Sequence, residues 1–453
     1  MVKELVKLGS AGVVLELIWC ATCSLGPLRE HTGPFLVLML LAFALCIWSY
    51  FRLPIKNPQA IWLVLGFALL FRVTVLIGPP YESEDVYRYL WDARVASLGV
   101  SPYKYSPDAP ELEKFRDGRI YPMINSKPYV TAYPPASQIL FRLSYALFGA
   151  NVTAMKAIFS LFEFLSLLIA WRLLILWNRN IQPLFLMAWH PFFIFEFSSS
   201  GHSDSVMMFL MLVSVYLLAK GREAWAMVSY GGAVLAKLHP ALWFPLYARR
   251  TGWKGVIAGL ATGLGLVLAY FRNLGSWLHY LSSLKLYFKL FEFNASIHYL
   301  VRFVGRTAFN ESWDKVIGPY LGAVLLMIAV LIFWKFPVRN ARDLLHAGFW
   351  LMTADLCLAT TAHPWYLGWA ALALPVFPYA FMTYWTGACC LSYLAYAYHP
   401  VHEPAWVLLL EYVPVYGLMG WEIWRRRTLM TVWLERRNFR GKEEALPGTA
   451  SQR

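Results

Sequence analysis

Charged residues are scarce in this chain of 453 residues. Asp, Glu, Lys and Arg together make up 15% of it, whereas hydrophobic residues make up 59%. Soluble domains carry about a quarter charged residues, so this scarcity excludes an ordinary soluble domain. The mean hydropathy of +0.49 instead indicates a membrane protein.

Cysteine is also rare, with six in the whole chain. All of them fall within apolar stretches, where packing is favoured over redox chemistry or metal binding even for the closely spaced Cys20 and Cys23. Histidines occur singly apart from His399 and His402, and two ligands make a weak metal site. We therefore expect neither a metal nor a cofactor.

Long apolar runs are what the chain has in abundance. A membrane-spanning helix needs about 20 apolar residues, and such runs recur from end to end. The predicted spans lie near residues 10–27, 34–51, 60–78, 153–177, 183–199, 205–219, 255–272, 316–334, 344–361, 366–379, 381–398 and 405–424. The predicted fold is thus an all-α polytopic membrane protein, a bundle of about twelve transmembrane helices.

The excess of basic over acidic residues gives the orientation. Lys and Arg number 40 against 26 Asp and Glu, and they concentrate in alternate short loops and in the tail 425–453. The positive-inside rule places these loops, and both termini, in the cytoplasm. This explanation of the net charge of +14 is favoured over a nucleic-acid partner.

Two apolar stretches, 136–149 and 224–248, do not fit this topology as full crossings. The second is interrupted by Lys237-Leu-His-Pro240. Non-helical backbone survives at membrane depth only where protein or a water-filled cavity satisfies it. We therefore predict re-entrant half-helices, and a broken helix with an ionisable residue at the break is typical of a binding site.

A dense cluster of charge follows the third span, between Gly78 and Arg94. From Ser83 onward the pattern predicts a helix at the membrane surface, with an apolar face that includes Val86 and Tyr89. Asp85 and Asp92 lie on the opposite face, with Arg88 between them. Early acids could simply stabilise a helix N-terminus, but that does not explain Asp92. The segment therefore predicts a catalytic carboxylate.

Other outer segments supply candidate binding residues. A helix over 224–237 would rise about 21 Å and bring Lys237 to the outer side, where it could bind a lipid phosphate; alternatively it snorkels to the cytoplasmic surface. Ser203 or Asp204 could cap the helix that follows, or the N-terminus of this helix, with His202 as a further donor, could bind a phosphate. His363 precedes aromatic residues that are also typical of an interfacial belt. The aromatic loop 273–315 predicts an interfacial helix over the site.

In their order along the chain, these motifs resemble the GT-C superfamily of integral-membrane glycosyltransferases. The motifs are Ser83-Glu-Asp85-Val-Tyr87, Gly99-Val-Ser-Pro-Tyr103, Tyr133-Pro-Pro135, Gly201-His-Ser-Asp204, Lys237-Leu-His-Pro240 and Phe293-Asn-Ala-Ser296. The chain looks most like PIG-M-type and bacterial mannosyltransferases. The resemblance implies inverting transfer of a hexose, mannose above all, from a polyprenyl-phosphate donor to a lipid or glycan acceptor outside the cytoplasm.

The residues suit that chemistry. An acceptor hydroxyl needs a general base, which the resemblance assigns to Asp85 or Glu84, with Asp92 as a further candidate. Fixed cations would stabilise the leaving phosphate, and because it is a monophosphate no divalent metal is demanded. The candidates for substrate and phosphate binding are Lys237, His239, His202, Arg88, Lys104, Asp204, Tyr87, Asn294 and His363.

The predicted organisation has three parts. Residues 1–58 form a transmembrane hairpin with no assigned role, residues 59–424 form the catalytic module with its outer loop 79–135, and residues 425–453 form a basic cytoplasmic tail. We expect a bacterial inner membrane with a periplasmic active site, or the ER membrane in a eukaryote. The alternatives are a secondary transporter or lipid flippase, whose two halves should be related, and an envelope-polysaccharide polymerase or ligase.

Overall fold

A computed structural model describes residues 2–26, 29–55, 58–80, 83–271, 274–289, 291–311, 313–398, 400–426, 428 and 430. Over these residues the protein is helical and contains no β-strand, only an isolated bridge between Phe293 and Thr361. The all-α class of a polytopic membrane protein is therefore confirmed. His399 and most of the predicted tail 425–453 lie outside the described residues.

The α-helices, in chain order, are α1 Val2–Ser24, α2 Thr32–Arg52, α3 Pro58–Leu76, α4 Asp85–Ser97, α5 Pro135–Phe148, α6 Val152–Leu176, α7 Phe185–Ala188, α8 Pro191–Phe193, α9 Asp204–Ala219, α10 Glu223–Ala236, α11 Phe244–Arg250, α12 Trp253–Tyr270, α13 Leu274–Lys289, α14 Ser296–Ala308, α15 Asp314–Lys335, α16 Ala341–Leu358, α17 Gly368–Ala371, α18 Ala380–Ala388 and α19 Ala405–Arg425. Between them lie 3₁₀ turns at Pro110–Phe115, Tyr121–Met123, Gln182–Leu184, His239–Trp243, Pro364–Leu367 and Cys389–Ala397, and a π-helical turn at Ile194–Ser199.

Six helices within the described residues are long and apolar enough to cross a membrane. They are α1, α2, α3, α6, α12 and residues 316–335 of α15, and α9 is apolar but shorter. Several other predicted spans are broken: 183–199 contains short α, 3₁₀ and π turns, and 366–379 contains 3₁₀ residues, α17 and a turn. Twelve crossings, like the three-part division of the chain, therefore stay predictions.

The helix break around Lys237 lies where the sequence places it. The α-helix α10 ends at Ala236, Lys237 has extended backbone, and a 3₁₀ turn with Pro240 leads into α11. Pro240 accounts for the break, because it has no N–H to donate to the carbonyl of Ala236 four residues earlier and its ring would clash with that carbonyl in a continued helix. The other apolar stretch that did not fit as a full crossing, 136–149, forms the regular helix α5. Membrane re-entry of both stays a prediction.

Close packing of small residues fixes the hairpin of α9 and α10 against α12. Gly221, with φ +74°, makes the turn between them, so the start of α9 and the end of α10 lie at the same end. A Cβ on Gly231 would lie 2.9 Å from the backbone oxygen of Gly259 in α12. Membrane helices approach closely through such small residues. The hairpin thereby holds Asp204 and Lys237 side by side.

Buried charges fix the end of α3, from which the acidic segment starts. Lys156 in α6 is fully buried and donates hydrogen bonds to the carbonyls of Leu76 (3.2 Å) and Gly78 (2.6 Å). One turn earlier on α3, Arg72 pairs with Glu163 of α6 and both are buried. Buried charges persist in such settings when they are paired. The chain therefore enters the acidic segment from an anchored position.

Candidate functional site

A cleft of about 290 Å³ lies where the start of α4, the break after α10 and the turn that follows α16 meet. Its size is near the lower end of the usual range for small-molecule pockets, about 300–1,000 Å³. It is lined by Arg29, Ser83, Glu84, Asp85, Asn125, Ser126, Ala132, Tyr133, Pro134, Lys237, Leu238, His239, Leu284, Phe291, His363, Trp365, Tyr366 and Tyr396. Five of the predicted site residues, from three distant segments of the chain, thus share one cleft.

Asp85 begins α4 and keeps 19% of its side chain exposed. Its Oδ1 accepts a 2.8 Å hydrogen bond from Asn125 Nδ2, and its Oδ2 lies 3.7 Å from His202 Nδ1. Burial alone would raise the pKa of Asp85, but His202, the Asn125 amide and the charge of Lys237 together hold this pKa well below its usual range. The carboxylate is therefore ionised, oriented and open to the cleft.

His202 lies behind Asp85 as a fully buried ring. It stacks on Trp365 at 3.7 Å between centroids, and its Nε2 lies 3.7 Å from Glu196 Oε2. Within the described residues neither ring nitrogen has a hydrogen-bond partner. Burial lowers the pKa of His202, against the opposing effect of Asp85. This position, between two carboxylates, suits a residue that positions Asp85 better than one that binds phosphate.

Lys237 reaches the cleft from the helix break. Its Nζ lies 3.1 Å from Asp204 Oδ1, and it sits 4.9 Å from the ring centre of Tyr366. Asp204 is buried and also accepts a 2.7 Å hydrogen bond from Trp369 Nε1. The side chain of Ser203 makes no capping hydrogen bond to α9. Asp204 therefore acts as the partner of Lys237, which stays 16% exposed at the cleft.

Two further histidines line the cleft. His239 stacks on Trp369 at 3.7 Å, and its Nδ1 lies 3.0 Å from Asp355 Oδ2. His363 stacks on Trp365 at 4.3 Å, and burial lowers the pKa of His363 to about 3. Neutral, stacked His363 can donate or accept a hydrogen bond but carries no charge at neutral pH.

A comparison with known protein families identifies the group to which this sequence belongs. The profile described as "Alpha-(1->6)-mannopyranosyltransferase, N-terminal domain" matches residues 6–250, which is more than half of the chain. The chain belongs to this family. The predicted resemblance to a GT-C-type mannosyltransferase is confirmed, and the family favours a glycosyltransferase over a transporter.

One characterised relative supports the same family. Alpha-(1->6)-mannopyranosyltransferase A of Mycobacterium tuberculosis (strain ATCC 25618 / H37Rv) is 22% identical over 335 residues, which cover 68% of this chain. The match spans 64% of the relative's own length. No solved structure matches the chain.

In this mannopyranosyltransferase-family chain, Arg88 and Asp92 pair with each other beside the cleft. The apolar face predicted for α4 is buried, but the opposite face is buried too, contrary to expectation. Arg88 Nε donates to Asp92 Oδ1 at 2.9 Å and Arg88 Nη2 to the Tyr129 carbonyl at 3.0 Å, while Gln138 Nε2 donates to Asp92 Oδ2 at 2.9 Å. Asp92 is absent from the cleft lining, so we assign the pair a role in holding α4 against α5.

Asp92→Ala is expected to lower the free energy of unfolding by about 3–5 kcal/mol, because it leaves the buried guanidinium of Arg88 without its carboxylate. Thermal unfolding of the purified protein in detergent measures this, with the exposed Asp108→Ala as a matched control. Equal unfolding midpoints in the two variants, with transfer lost only in Asp92→Ala, would restore Asp92 as a catalytic candidate.

Three other predicted residues lie apart from the cleft lining. Lys104 is exposed and sits 4.7 Å from the ring centre of its neighbour Tyr105. Tyr87 is partly buried against the core. Asn294 is buried and donates to Glu411 Oε1 at 3.0 Å, next to the Phe293 ring that stacks on His363. Their predicted roles in substrate binding are not supported by a position in the cleft.

Sequence reasoning missed four residues that complete the site: Arg29 and Asn125 in the cleft, and Asp355 and Glu196 behind it. None belongs to a motif. Arg29 and Asn125 lie in predicted outer loops, and Glu196 and Asp355 are ionisable residues inside the predicted spans 183–199 and 344–361, and these are the signals that could have suggested them. Over the described part of the chain, no group of three or more His, Cys, Asp or Glu side chains could hold a metal ion. The expectation of a metal-free reaction stays a prediction.

Proposed function

We propose that this protein is a membrane mannosyltransferase that moves mannose from a polyprenyl-phosphate donor to a hydroxyl of a lipid or glycan acceptor, with Asp85 as the general base. The observation that carries the proposal is a single cleft holding an ionised Asp85, fixed by Asn125, together with Lys237. Membership of an alpha-(1->6)-mannopyranosyltransferase family supports mannose as the sugar.

The proposed reaction is a single displacement. Asp85 accepts the proton of the acceptor hydroxyl while that oxygen bonds to the anomeric carbon of mannose. The bond from this carbon to the phosphate oxygen breaks on the opposite face, which inverts the configuration. Lys237 and His239 then stabilise the negative charge that grows on the leaving phosphate.

The location of the cleft in a membrane protein supports a lipid-linked donor. The cleft is lined by residues of α4 and α13 and of the break after α10, and the loop that joins the candidate membrane helices α1 and α2 adds Arg29. A lipid phosphate at the membrane surface could enter such a cleft without leaving the bilayer. We propose that the cleft faces the extracytoplasmic side and that both termini are cytoplasmic.

The test is a transfer assay with the purified protein in nanodiscs, radiolabelled polyprenyl-phosphate mannose or glucose, and a mannoside acceptor. Transfer of label from the mannose donor, unaffected by chelator, is the expected result. A requirement for a nucleotide-linked donor, or transfer from the glucose donor alone, would overturn the donor assignment. Movement of the donor across the membrane without transfer would instead indicate a transporter.

The pH dependence of transfer tests the role of His202. Because the pKa of Asp85 is lowered in the folded protein, protonation of Asp85 should not reduce kcat/KM until pH falls below about 4, the usual Asp range. His202→Phe keeps a ring against Trp365 but removes one cause of the lowering, so the acid limb should move to higher pH. Profiles of kcat/KM against pH for both proteins measure this. Superimposable profiles would exclude an influence of His202 on Asp85.

The same shift has a consequence for stability. A carboxyl group whose pKa is lowered on folding contributes stability above its unfolded pKa, about 3.9 for Asp. That contribution is lost as pH falls through the pKa that Asp85 has in the folded protein. Asp85 therefore stabilises the fold across the neutral range in which the transfer assay is run.

A further inference from the structure

The loop between α1 and α2, the two helices of the N-terminal hairpin, contributes a residue to the cleft lining. Arg29, from this loop, has its Nη2 3.4 Å from Glu84 Oε1 and its guanidinium carbon 5.6 Å from the ring centre of Tyr396. All three side chains line the cleft. The hairpin is held in place by tight packing, since a Cβ on Gly12 of α1 would lie 2.5 Å from the Phe67 ring of α3.

The Arg29–Glu84 pair is open rather than buried. The two side chains are 50% and 38% exposed, and their contact uses one of the guanidinium nitrogens, whereas Arg carries five N–H donors. Glu84 adds carboxylate acceptors beside them. A charged donor and a charged acceptor held side by side can bind neighbouring hydroxyls of one ligand.

Tyr396 supplies an apolar surface next to this pair. Its ring is half-buried and stacks on Phe293 at 5.6 Å with an interplanar angle of 22°. An aromatic face beside a few placed polar groups is the usual composition of a small-molecule site. The C–H face of a pyranose ring presents the complementary apolar surface.

The local charge argues against an anionic ligand at this position. Glu84 offsets the charge of Arg29, and its carboxylate would repel a phosphate. The other cation of the cleft, Lys237, contacts different residues, Asp204 and Tyr366, and its carboxylate partner is buried behind it. The Lys237 side of the cleft therefore suits the phosphate, and the Arg29 side suits a neutral, hydroxyl-rich ligand.

We propose that Arg29, Glu84 and Tyr396 bind a second sugar unit of the acceptor, adjacent to the sugar whose hydroxyl is deprotonated by Asp85. Glu84 directly precedes Asp85 in the chain, so the two carboxylates can serve neighbouring sugars. The acceptor class that follows is an oligosaccharide or glycan chain rather than a lipid with a single sugar. The inference rests on the proposed function and deepens it.

The experiment compares two acceptors that carry the same hydrophobic aglycone, one with a single mannose and one with two α-(1→6)-linked mannoses. The unaltered protein should prefer the disaccharide acceptor. Arg29→Ala should lower the ratio of kcat/KM for the disaccharide to that for the monosaccharide acceptor about tenfold, the lower end of the effect of losing a charged hydrogen bond. Tyr396→Ala should lower the same ratio, because it removes the apolar surface for the second sugar. Arg119→Ala, an exposed arginine outside the cleft lining, is the matched control.

Several results would overturn the proposal. An equal loss with both acceptors would show that Arg29 acts only through the fold, and a rise confined to the KM for the donor would assign it to the phosphate. Binding of the disaccharide, followed by tryptophan fluorescence, is measured independently of transfer. If the unaltered protein binds the disaccharide but transfers nothing, the proposed function fails and the subsite stands; if Arg29→Ala binds it equally well, the subsite fails.

Discussion

Asp85→Asn is expected to lower kcat for mannosyl transfer by about 10²–10⁴-fold, the usual contribution of a positioned general base. An asparagine at this position keeps an oxygen that can accept the hydrogen bond from Asn125. Its amide, however, cannot take the proton of the acceptor hydroxyl. The stabilisation that comes from the ionised carboxylate is lost, but the retained hydrogen bond should keep the protein folded and able to bind the donor while the chemical step is lost. Steady-state kinetics and donor binding, measured on the same preparation, separate the two effects.

The matched control is the neighbouring carboxylate. Glu84 contacts Arg29 and is 38% exposed, whereas Asp85 is held by Asn125 and faces His202. Glu84→Gln should raise the KM for the acceptor with little loss of kcat. The reverse result, a large loss of kcat in Glu84→Gln and near-normal rates in Asp85→Asn, would place the base one residue earlier in the chain.

Local features of the site were predictable from sequence because they depend on residues close together in the chain. Apolar periodicity predicts α4, the acidic residues before it mark its start, and Pro240 marks the break after α10. The length of the segment 224–237 also predicts that Lys237 comes near the outer side of the membrane. These inferences need only helix geometry.

The remaining parts of the site depend on contacts between distant residues. The stack of Phe293, His363, Trp365 and His202 joins three separate segments. Neither helix periodicity nor charge pattern contains that information. Arg88 and Asp92 show the same limit: their spacing of four predicts an ion pair, but only the packing of α5 and Gln138 determines that the pair is buried.

Lys237→Ala should cause the second largest loss of transfer activity. It removes the cation from the cleft, and it also leaves the buried carboxylate of Asp204 without its ion-pair partner. Loss of a charged hydrogen bond to the donor phosphate weakens its binding or the rate by about 1.5–3 kcal/mol, roughly 10–150-fold. The same change leaves the buried carboxylate of Asp204 with the Trp369 indole as its remaining side-chain hydrogen-bond donor among the described residues. A destabilised fold and a weakened site would then both lower the activity of this variant.

A second substitution separates these two causes. In Lys237→Met/Asp204→Asn, the asparagine can still accept the hydrogen bond from Trp369 and no buried charge is left unpaired. We expect the unfolding midpoint to recover towards that of Asp204→Asn alone, while the KM for the polyprenyl-phosphate donor stays raised at least tenfold. Recovery of both quantities would show that Lys237 serves only to neutralise Asp204. The leaving phosphate would then depend on His239, whose ring is oriented by Asp355.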